Sequence, residues 1–384
     1  MNLQGKHILL GISGGIAAYK IPFLIRLLRA EGAEVRVCCS PHALEFVTEL
    51  TLRTLSGYPV YSDVFAAVNA HATEHISLPD WADLMLVAPA TADILCKCAS
   101  GVADCALTTT YSAFRTRGPV LFAPAMNTAM YDNPATQDAI ARLACANTKV
   151  LPTDDGPLAC GTSGPGRMLQ PEALLEAIFS ALTPKTLAGR HILITAGPTI
   201  ERLDPVRYIS NFSTGKMGLA LAAECRRRGA DVTLVMGQLS AAQMLDRCVA
   251  AWPSCDTAIL CAAVADYRPA EYSDTKIKKV PGASDHLSLP LVLNPDIAAT
   301  LGASKRPDQR LIGFALETNN GPENALLKLR AKHLDAIVLN TPSATTGFGT
   351  DTNAVTIIAA NGHEKKLPLA SKQEIASGIL DFCC

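Results

Sequence analysis

The chain contains one strand–turn–helix–strand pattern twice, about half its length apart. The first copy begins with the apolar run Lys6–Ile12, turns at Gly14–Gly15 and continues through a helical segment into Glu34–Cys39. The second copy begins with His191–Ala196 and turns at Gly197. A buried strand that ends in a glycine turn and opens a helix is how α/β proteins hold phosphate groups. The repeat therefore predicts two nucleotide-type domains in one polypeptide.

Near-continuous apolar strands alternate with helical patterns in both halves, which favours parallel sheets covered on both faces. The remaining strands are predicted at Leu84–Ala88, Val120–Ala123, Lys149–Leu151, Asp231–Met236, Thr257–Ala262, Arg310–Ala315, Ala336–Leu339 and Val355–Ile358. The helix Pro171–Leu182 closes the first half, and a linker follows it. We expect an α/β protein with two Rossmann-like domains, residues 1–190 and 191–384.

The amino-acid composition limits which binding partners and which cellular compartment we expect for this protein. With 34 basic and 35 acidic residues, the net charge gives no support for binding to nucleic acid or to an anionic membrane. Charged residues make up only 18% of the chain, which favours wide buried sheets or a homo-oligomer. No apolar signal or membrane-spanning run is evident. The 13 cysteines include no C-x-x-C pair and lie mostly in apolar runs, so we expect free thiols in a reducing cytoplasm.

The first glycine turn differs from a dinucleotide fingerprint. Gly11–Ala18 lacks the G-x-G-x-x-G spacing, and the next strand ends at Cys39 and Ser40, where a dinucleotide site would place an acid for the ribose. Ser13, the backbone amides after Gly14 and Ser40 are suited to one phosphate at a helix N-terminus. The turn therefore predicts a mononucleotide site.

Three more loops and one histidine extend this candidate site. Pro89–Asp93 and Pro124–Met130 each follow a strand, at the edge where ligands of parallel sheets bind. Asn127 offers an amide for a carboxylate, and two methionines offer soft walls for a flat ring. Cys160 is the one cysteine in a polar, glycine-rich flap with an arginine nearby, which makes it the candidate reacting thiol. His75 by itself is ambiguous, since a lone histidine is more often structural than catalytic.

The set Gly11–Lys20, His75, Pro124–Met130 and Ala159–Met168 resembles the flavoprotein phosphopantothenoylcysteine decarboxylases. This resemblance implies a flavodoxin-like domain that binds FMN and removes CO2 from 4'-phospho-N-pantothenoylcysteine. Oxidation of the thiol-bearing carbon by FMN would create the electron sink that the cysteine carboxylate lacks, and the hydride would then be returned. His75 would be the base, Asn127 would hold the substrate carboxylate, and Cys160 would donate the final proton. The residues expected at the flavin are Ser13, Gly14, Ile16, Ser40, Thr91, Asp93, Met126 and Met130.

The second half carries a different phosphate signature. The segment Asp204–Gly218 lacks the P-loop spacing, but Ser213, Thr214 and Lys216 stand where a helix begins, a suitable seat for an anion. Lys276–Lys279, Lys328 and Lys332 could neutralise a triphosphate, and Lys328 and Lys332 are four residues apart, on one helix face. Taken singly, each of these lysines is more typical of a solvated surface than of a phosphate site.

This half resembles the phosphopantothenate–cysteine ligases that are fused to the decarboxylases in bacteria, and together the halves resemble the bifunctional enzymes of coenzyme A biosynthesis. The resemblance implies that CTP and 4'-phosphopantothenate form an acyl-cytidylate, which the amine of cysteine attacks. Asn211 would stabilise this intermediate, Arg207 would assist near the substrate, and Lys276 would support its formation. CTP would contact Leu260, Cys261, Ala262, Asp266, Lys276, Pro295, Asp296, Ile297, Ala298, Phe314, Lys328 and Lys332. Mg2+ would accompany CTP without an evident set of protein ligands.

The family also suggests decarboxylase trimers joined through ligase dimers into a dodecamer. The chain departs from the family pattern at Thr162, where many relatives carry Asp, and in a shortened segment after Gly237. Three alternatives remain at this point. Some decarboxylase relatives are non-catalytic regulatory subunits, a nicotinamide oxidoreductase shares the fold, and a flavin prenyltransferase would explain only the first half.

Overall fold

The computed structural model describes residues 3–65, 73–145, 147–157, 161, 163–278, 287–317, 319–340 and 349–384. Two compact units divide the chain, one ending at Thr183 and the other beginning at Pro184. The predicted functional division at residue 190 stays a prediction. Among the described residues, no helix combines the length and the apolar character needed to cross a membrane.

The N-terminal unit is built on a parallel sheet whose described strands run in the order β3-β2-β1-β4-β5-β6. These strands are β1 His7–Ile12, β2 Glu34–Cys39, β3 Val60–Tyr61, β4 Leu84–Ala90, β5 Val120–Pro124 and β6 Thr148–Val150. Without the short edge strand β3, this is the flavodoxin order 2-1-3-4-5. An antiparallel hairpin follows, made of β7 Asp154–Pro157 and β8 Ser163–Arg167.

Helices cover both faces of this sheet. They are α1 Ile21–Ala30, α2 Glu49–Ser56, α3 Glu74–Trp81, α4 Ala92–Ser100, α5 Ala106–Phe114, α6 Thr128–Tyr131, α7 Pro134–Leu143 and α8 Pro171–Leu182. One core joins a face of the sheet to α1, α2 and α8, and a second core joins the other face to α3, α4, α5 and α7. Leu24, Ile25 and Leu28 of α1 are fully buried, and each such side chain stabilises the fold by about 1.5–3 kcal/mol.

The C-terminal unit repeats this strand order and then extends it. Its described strands are β9 His191–Ala196, β10 Ile200–Arg202, β11 Tyr208–Ser210, β12 Asp231–Met236, β13 Thr257–Leu260, β14 Tyr267–Pro269, β15 Leu291–Leu293, β16 Arg310–Leu316, β17 Ala336–Asn340, β18 Thr352–Ala359 and β19 Glu364–Ser371. The order β12-β9-β13-β16-β17 is parallel, and β18 and β19 add an antiparallel edge. The pairs β10–β11 and β14–β15 form separate short hairpins.

The helices of this unit are α9 Lys216–Arg227, α10 Ala241–Ala251, α11 Ile297–Ala303, α12 Gly321–Ala331 and α13 Lys372–Cys383. One core joins the sheet to α9 and α13, and the opposite core joins it to α10, α11 and α12. The predicted α/β class with mainly parallel sheets is confirmed.

Three local expectations need correction. The first glycine turn opens a 3-10 turn, Ile16–Lys20, before α1 begins, since Pro22 is tolerated in an α-helix only in its first turn. Part of the predicted flap is the strand β8, because its glycines adopt extended, positive-φ conformations that pair with β7. Strand β19 and the hairpins β10–β11 and β14–β15 were not predicted. The hairpin strands have three residues each, too few to show a periodicity, and β19 is an edge strand without buried side chains.

Candidate active sites at the carboxyl edges of the two sheets

In the N-terminal unit, the loops that follow β1, β4 and β5 meet at one edge of the sheet. The chain leaves β1 towards β2 on one side and later returns to β4 on the other, and ligands of open α/β sheets bind at such a switch point. The Ser13 hydroxyl, which is fully buried, donates to the Pro89 carbonyl at 2.7 Å and accepts from the Thr91 N–H at 3.2 Å. Ser13 therefore joins two of the three predicted cofactor loops.

The turn at Gly14 and Gly15 presents backbone donors at this edge. Within the described residues, neither N–H group has a hydrogen-bond acceptor, although both stand where the 3-10 turn begins. A side chain at position 14 would place its Cβ 2.6 Å from the Cβ of His42, so only glycine permits this approach. Ser40 is buried beside the turn, and its N–H donates to the Ile12 carbonyl at 2.9 Å. Two free donors at a helical start fit one phosphate group.

The other predicted flavin residues line the same region with different exposure. Thr91 caps α4 by accepting from the Ile94 N–H at 3.5 Å. Asp93, in the first turn of α4, forms an ion pair with Lys97 at 3.3 Å. Ile16 is 58% exposed and Met130 is 49% exposed. These two apolar side chains leave surface that a flat ring or another molecule could cover.

The hairpin β7–β8 packs on the loop that carries Asn127. The Met126 N–H donates to the Gly166 carbonyl at 2.9 Å, and the Thr128 hydroxyl donates to the Pro165 carbonyl at 2.8 Å. The Asn127 carboxamide oxygen accepts from the Ala129 N–H at 2.8 Å, which makes Asn127 the N-cap of α6. The predicted flap and the predicted carboxylate-binding loop are therefore in direct contact.

Two further predicted residues have different outcomes. His75 is half-buried at the second position of α3, before the first core residue of that helix. Cys160 and Thr162 lie outside the described residues, so the role of Cys160 stays a prediction.

Lys20 connects the glycine turn with the base of the hairpin. Its side chain is 5% exposed, and its ammonium group donates to the Met168 carbonyl at 2.8 Å. Burial lowers the pKa of Lys20, the positive charge of Arg167 lowers it further, and Asp154 partly offsets both. Lys20 ends the motif Gly11–Lys20 that carries the family resemblance, but the sequence predicted no role for it.

In the C-terminal unit, glycines allow the turn after β9 to approach the start of α9. Gly215 adopts φ +77° as the N-cap of α9, and a Cβ there would lie 3.2 Å from the Gly197 backbone. A Cβ on Gly218 would lie 2.4 Å from that of Ala196. The predicted anion seat at Ser213, Thr214 and Lys216 therefore lies against the end of β9. The Lys216 ammonium, however, donates to the Asp351 carboxylate at 2.6 Å in this structure.

Asp204 brings Arg207 and the Lys276 segment together. Its carboxylate accepts from the backbone N–H groups of Val206 and Arg207 at 2.8 Å, and from the N–H of Ile277 at 3.2 Å. The Arg207 guanidinium donates to the same carboxylate through Nε and Nη2, and to the Ile277 carbonyl at 2.8 Å. The Arg207 hydrogen bonds, despite burial, hold the pKa of Asp204 well below its usual range. No role was predicted for Asp204 from the sequence. Its one local signal is that an Asp side chain can accept hydrogen bonds from backbone N–H groups two and three residues further on.

The remaining predicted ligase residues cluster at the ends of β13 and β16. The Asn211 amide donates to the Ala263 carbonyl at 3.1 Å, directly after Leu260–Ala262. Asp266 is exposed at its side chain, while its carbonyl accepts from the Asn294 N–H at 2.8 Å. Pro295–Ala298 contains the start of α11, and Phe314 is half-buried in β16. The structure therefore gathers residues that are far apart in the sequence.

The two predicted triphosphate lysines are paired with carboxylates. Lys328 lies 2.6 Å from the Glu317 carboxylate, at the end of β16, and Lys332 lies 2.9 Å from the Asp296 carboxylate. The Lys328 hydrogen bond lowers the pKa of Glu317. Burial would raise the pKa of Asp296, but hydrogen bonds from Ala299 and Lys332 outweigh it and the net shift is downward. Lys332 is the C-cap residue of α12, and its N–H still donates to the Lys328 carbonyl at 3.0 Å, one helical turn back.

A protein-based metal site is absent from the described part of the chain. It contains no group of three or more His, Cys, Asp or Glu side chains arranged to hold an ion. Its cysteines are free, and most of them are buried.

Comparison with known families assigns each unit separately. The family model "Flavoprotein" matches residues 1–183, and the model "DNA/pantothenate metabolism flavoprotein C-terminal domain" matches residues 187–384. A protein of Vibrio vulnificus strain CMCP6 named "Coenzyme A biosynthesis bifunctional protein CoaBC" is 44% identical over 98% of this chain and 97% of its own length. The protein of that name from Escherichia coli strain K12 is also 44% identical, over 99% of this chain and 97% of its own length.

The chain belongs to this family of bifunctional coenzyme A biosynthesis proteins. The predicted family and its bifunctional role are confirmed, and the non-catalytic alternative is not favoured. A crystal structure of the C-terminal domain of a protein of that name is 38% identical, covers 52% of this chain and 96% of its own, and gives a TM-score of 0.43.

Proposed function

We propose that the C-terminal unit joins cysteine to 4'-phosphopantothenate with CTP, and that the N-terminal unit decarboxylates the product with FMN to give 4'-phosphopantetheine. Family membership supports the two activities, and the flavoprotein family supports a flavin. One observation carries the detailed proposal. Among the described residues of each unit, loops that carry residues assigned by resemblance meet at the carboxyl edge of a parallel sheet, beside a glycine turn.

In the N-terminal unit, the free N–H groups of Gly14 and Gly15 fit the phosphate of FMN, with Ser40 beside them. Bound FMN would supply the acceptor and donor of the hydride. Asn127 would hold the substrate carboxylate, because its side chain is oriented by the Ala129 N–H and its loop is held by the hairpin. His75 would take up a proton, and Cys160 would return one after CO2 has left.

In the C-terminal unit, Arg207 and Lys276 would act on the carboxylate of 4'-phosphopantothenate and the α-phosphate of CTP. The carboxylate oxygen forms a bond to the α-phosphorus of CTP, the bond from that phosphorus to pyrophosphate breaks, and an acyl-cytidylate remains. Asn211, which is tethered to Ala263, would stabilise this intermediate until the cysteine amine displaces CMP. Lys328 and Lys332 would exchange Glu317 and Asp296 for phosphate oxygens, since an ammonium group binds either anion.

Magnesium would be held mainly by the triphosphate itself. Mg2+ usually retains several waters and binds through substrate phosphates together with one or two carboxylates. The described residues fit this mode, because they offer isolated carboxylates rather than a ligand cluster. We also place both reactions in the cytoplasm, where a reducing environment would maintain the free cysteines.

A homo-oligomer is part of the proposal. In the N-terminal unit, Ile16, Tyr19 and Phe23 expose more than half of their surface along one stretch. In the C-terminal unit, Phe212 is 91% exposed and Leu293 is 69% exposed. Apolar side chains grouped on a surface favour contact with another molecule. Light scattering on the full chain would give the mass and would test a dodecamer of trimers and dimers.

Product analysis by mass spectrometry tests both activities at once. The purified protein is mixed with 4'-phosphopantothenate, cysteine, CTP and Mg2+. We expect 4'-phosphopantetheine, CMP and pyrophosphate. The cysteine adduct alone would contradict the decarboxylase assignment, and the absence of a CTP-dependent product would contradict the ligase assignment.

Single variants test the residue roles in the same assay. Cys160→Ser should leave ligation intact and stop decarboxylation at a partly processed intermediate. Asn211→Ala should accumulate the acyl-cytidylate and leave decarboxylation of supplied substrate unchanged. Normal 4'-phosphopantetheine formation by Cys160→Ser, or normal ligation by Asn211→Ala, would exclude the corresponding role. Absorbance at flavin wavelengths identifies the cofactor, and colourless protein that does not take up added FMN would contradict the flavin site.

A further inference from the structure

Asp204 is a buried anion at the junction of two segments that are far apart in the sequence. Its side chain has no exposed surface, yet it contacts the exposed residue Arg207 and the backbone of Ile277, which directly follows the exposed Lys276. It accepts three backbone N–H groups and a two-pronged contact from a guanidinium. This set exceeds what is needed to close a local turn, because the Ile277 N–H comes from a segment 73 residues further along.

Two hydrogen bonds join the Ile277 backbone to this site, one made by Arg207 and the other by the Asp204 carboxylate. The Arg207 Nη2 donates to the Ile277 carbonyl, while the Ile277 N–H donates to Asp204. Both polar groups of the Ile277 backbone are therefore held by this pair. Lys276 is the preceding residue, so the position of its Cα depends on the same contacts. A change in the Asp204–Arg207 pair should move Lys276.

We propose that Asp204 is a positioning residue for ligation, which holds Arg207 and the Lys276 segment in one arrangement around the reacting carboxylate. The inference rests on the proposed roles of Arg207 and Lys276. With the carboxylate in place, the Arg207 guanidinium keeps a fixed orientation and retains donors for substrate. Fixing two cations before substrate binds reduces the ordering that must occur during reaction.

The test compares Asp204→Asn with wild type in the full-length protein. The amide removes the negative charge and one acceptor but keeps the shape. We expect ligation to fall by roughly tenfold to hundredfold, the range for losing a hydrogen bond to a charged group. Tryptic cleavage after Lys276 and Lys278, followed by mass spectrometry, should become faster, because the segment has lost its tether. Decarboxylation of supplied 4'-phospho-N-pantothenoylcysteine should stay unchanged.

Ile277→Pro provides a second variant that keeps the carboxylate. Proline removes the one N–H that joins this segment to Asp204 and leaves the Asp204–Arg207 pair intact. Trypsin does not cleave a Lys–Pro bond, so cleavage in this variant is followed after Lys278 alone, where we expect it to become faster. We also expect a loss of ligation. Combined with Asp204→Asn, it should cost less than the sum of the single effects, because both variants break the same contact. Additive losses would overturn the proposal.

Asp256→Asn is the matched control for removing a carboxylate that receives a backbone N–H. Asp256 accepts from the His191 N–H at 2.6 Å at the opposite, amino edge of the sheet. This variant should change neither cleavage after Lys276 nor ligation. A change in either would show that the effect of Asp204→Asn is common to carboxylates that accept a backbone N–H group and is not specific to Asp204.

Variants of the two proposed catalytic residues separate the inference from the function on which it rests. If Arg207→Gln and Lys276→Gln each reduce ligation while Asp204→Asn and Ile277→Pro leave ligation and cleavage after Lys278 at wild-type values, the inference is wrong and the function stands. If neither Arg207→Gln nor Lys276→Gln reduces ligation, the assigned roles are wrong.

Discussion

At the scale of single residues, the C-terminal unit buries charged side chains that form ion pairs with one another. Glu224 is 1% exposed, and its carboxylate lies 2.8 Å from Arg228 and 3.6 Å from Arg227. Arg228 also bonds to Asp381 and Ser377 of α13. The network therefore joins α9 to α13, on the face of the sheet opposite α10. Removing one member leaves an uncompensated buried charge, which costs more than the pair contributes.

Glu224→Ala should destabilise the C-terminal unit by about 3 kcal/mol. For a unit of this size that corresponds to a fall of roughly 6–12 °C in Tm. Scanning calorimetry on the full chain would measure it. Glu323→Ala, at an exposed position in the first turn of α12, is the control and should cost less than about 1 kcal/mol. Equal shifts in Tm for the two variants would show that the buried network stabilises the unit no more than an exposed carboxylate does.

At the scale of elements, the hairpin β7–β8 depends on a glycine. Gly166 adopts φ +119°, and a Cβ there would lie 2.4 Å from the Met126 carbonyl oxygen. That oxygen belongs to backbone, so it cannot rotate away as a side chain could. The packing of the hairpin on the Asn127 loop therefore requires the absence of a side chain.

Gly166→Ala should displace the hairpin and slow decarboxylation by roughly a hundredfold, the order expected when a reacting group moves by about 1 Å. Ligation should be unchanged. Gly101→Ala is the matched control, because Gly101 also has a positive φ of +76° but would meet no atom within 4 Å. It should lose only about 1–2 kcal/mol of stability and keep its decarboxylation rate. A normal rate in Gly166→Ala would rule out close packing of the hairpin.

At the scale of the whole molecule, carboxylates with lowered pKa are distributed unequally. In the described part of the N-terminal unit Asp104 is one such group, held by Lys97. In the C-terminal unit these groups are Asp204, Asp296, Asp308, Glu317, Asp351 and Glu374. A carboxylate with a lower pKa in the folded state stabilises fully above its unfolded value, near pH 4, and this contribution is lost as pH falls through the folded value.

The C-terminal unit should therefore lose more stability than the N-terminal unit between pH 6 and pH 3. Most of these pairs are at the surface, so each contributes little and salt should reduce the difference. Hydrogen exchange with mass spectrometry, analysed separately for the two units, measures the effect. An equal loss in both units would contradict the expectation.

The two units have separate cores and separate candidate sites, so their activities should complement each other between chains. A mixture of Cys160→Ser and Asn211→Ala should convert 4'-phosphopantothenate to 4'-phosphopantetheine, although neither variant does so alone. The cysteine adduct released by one chain would be decarboxylated by the other. If the mixture accumulates the adduct while Asn211→Ala still decarboxylates supplied substrate, transfer between chains does not occur.

The sequence alone determines the α/β class, the repeated glycine turns and the edge of each sheet where a candidate site is expected, because strand periodicity and turn chemistry are local properties. It also assigns the family through its loop motifs. Only the tertiary structure decides which groups meet: Asp204 with Ile277, Glu317 with Lys328, and Gly166 with Met126. Local patterns do not specify these partners, because packing of whole elements brings together residues that are separated along the chain.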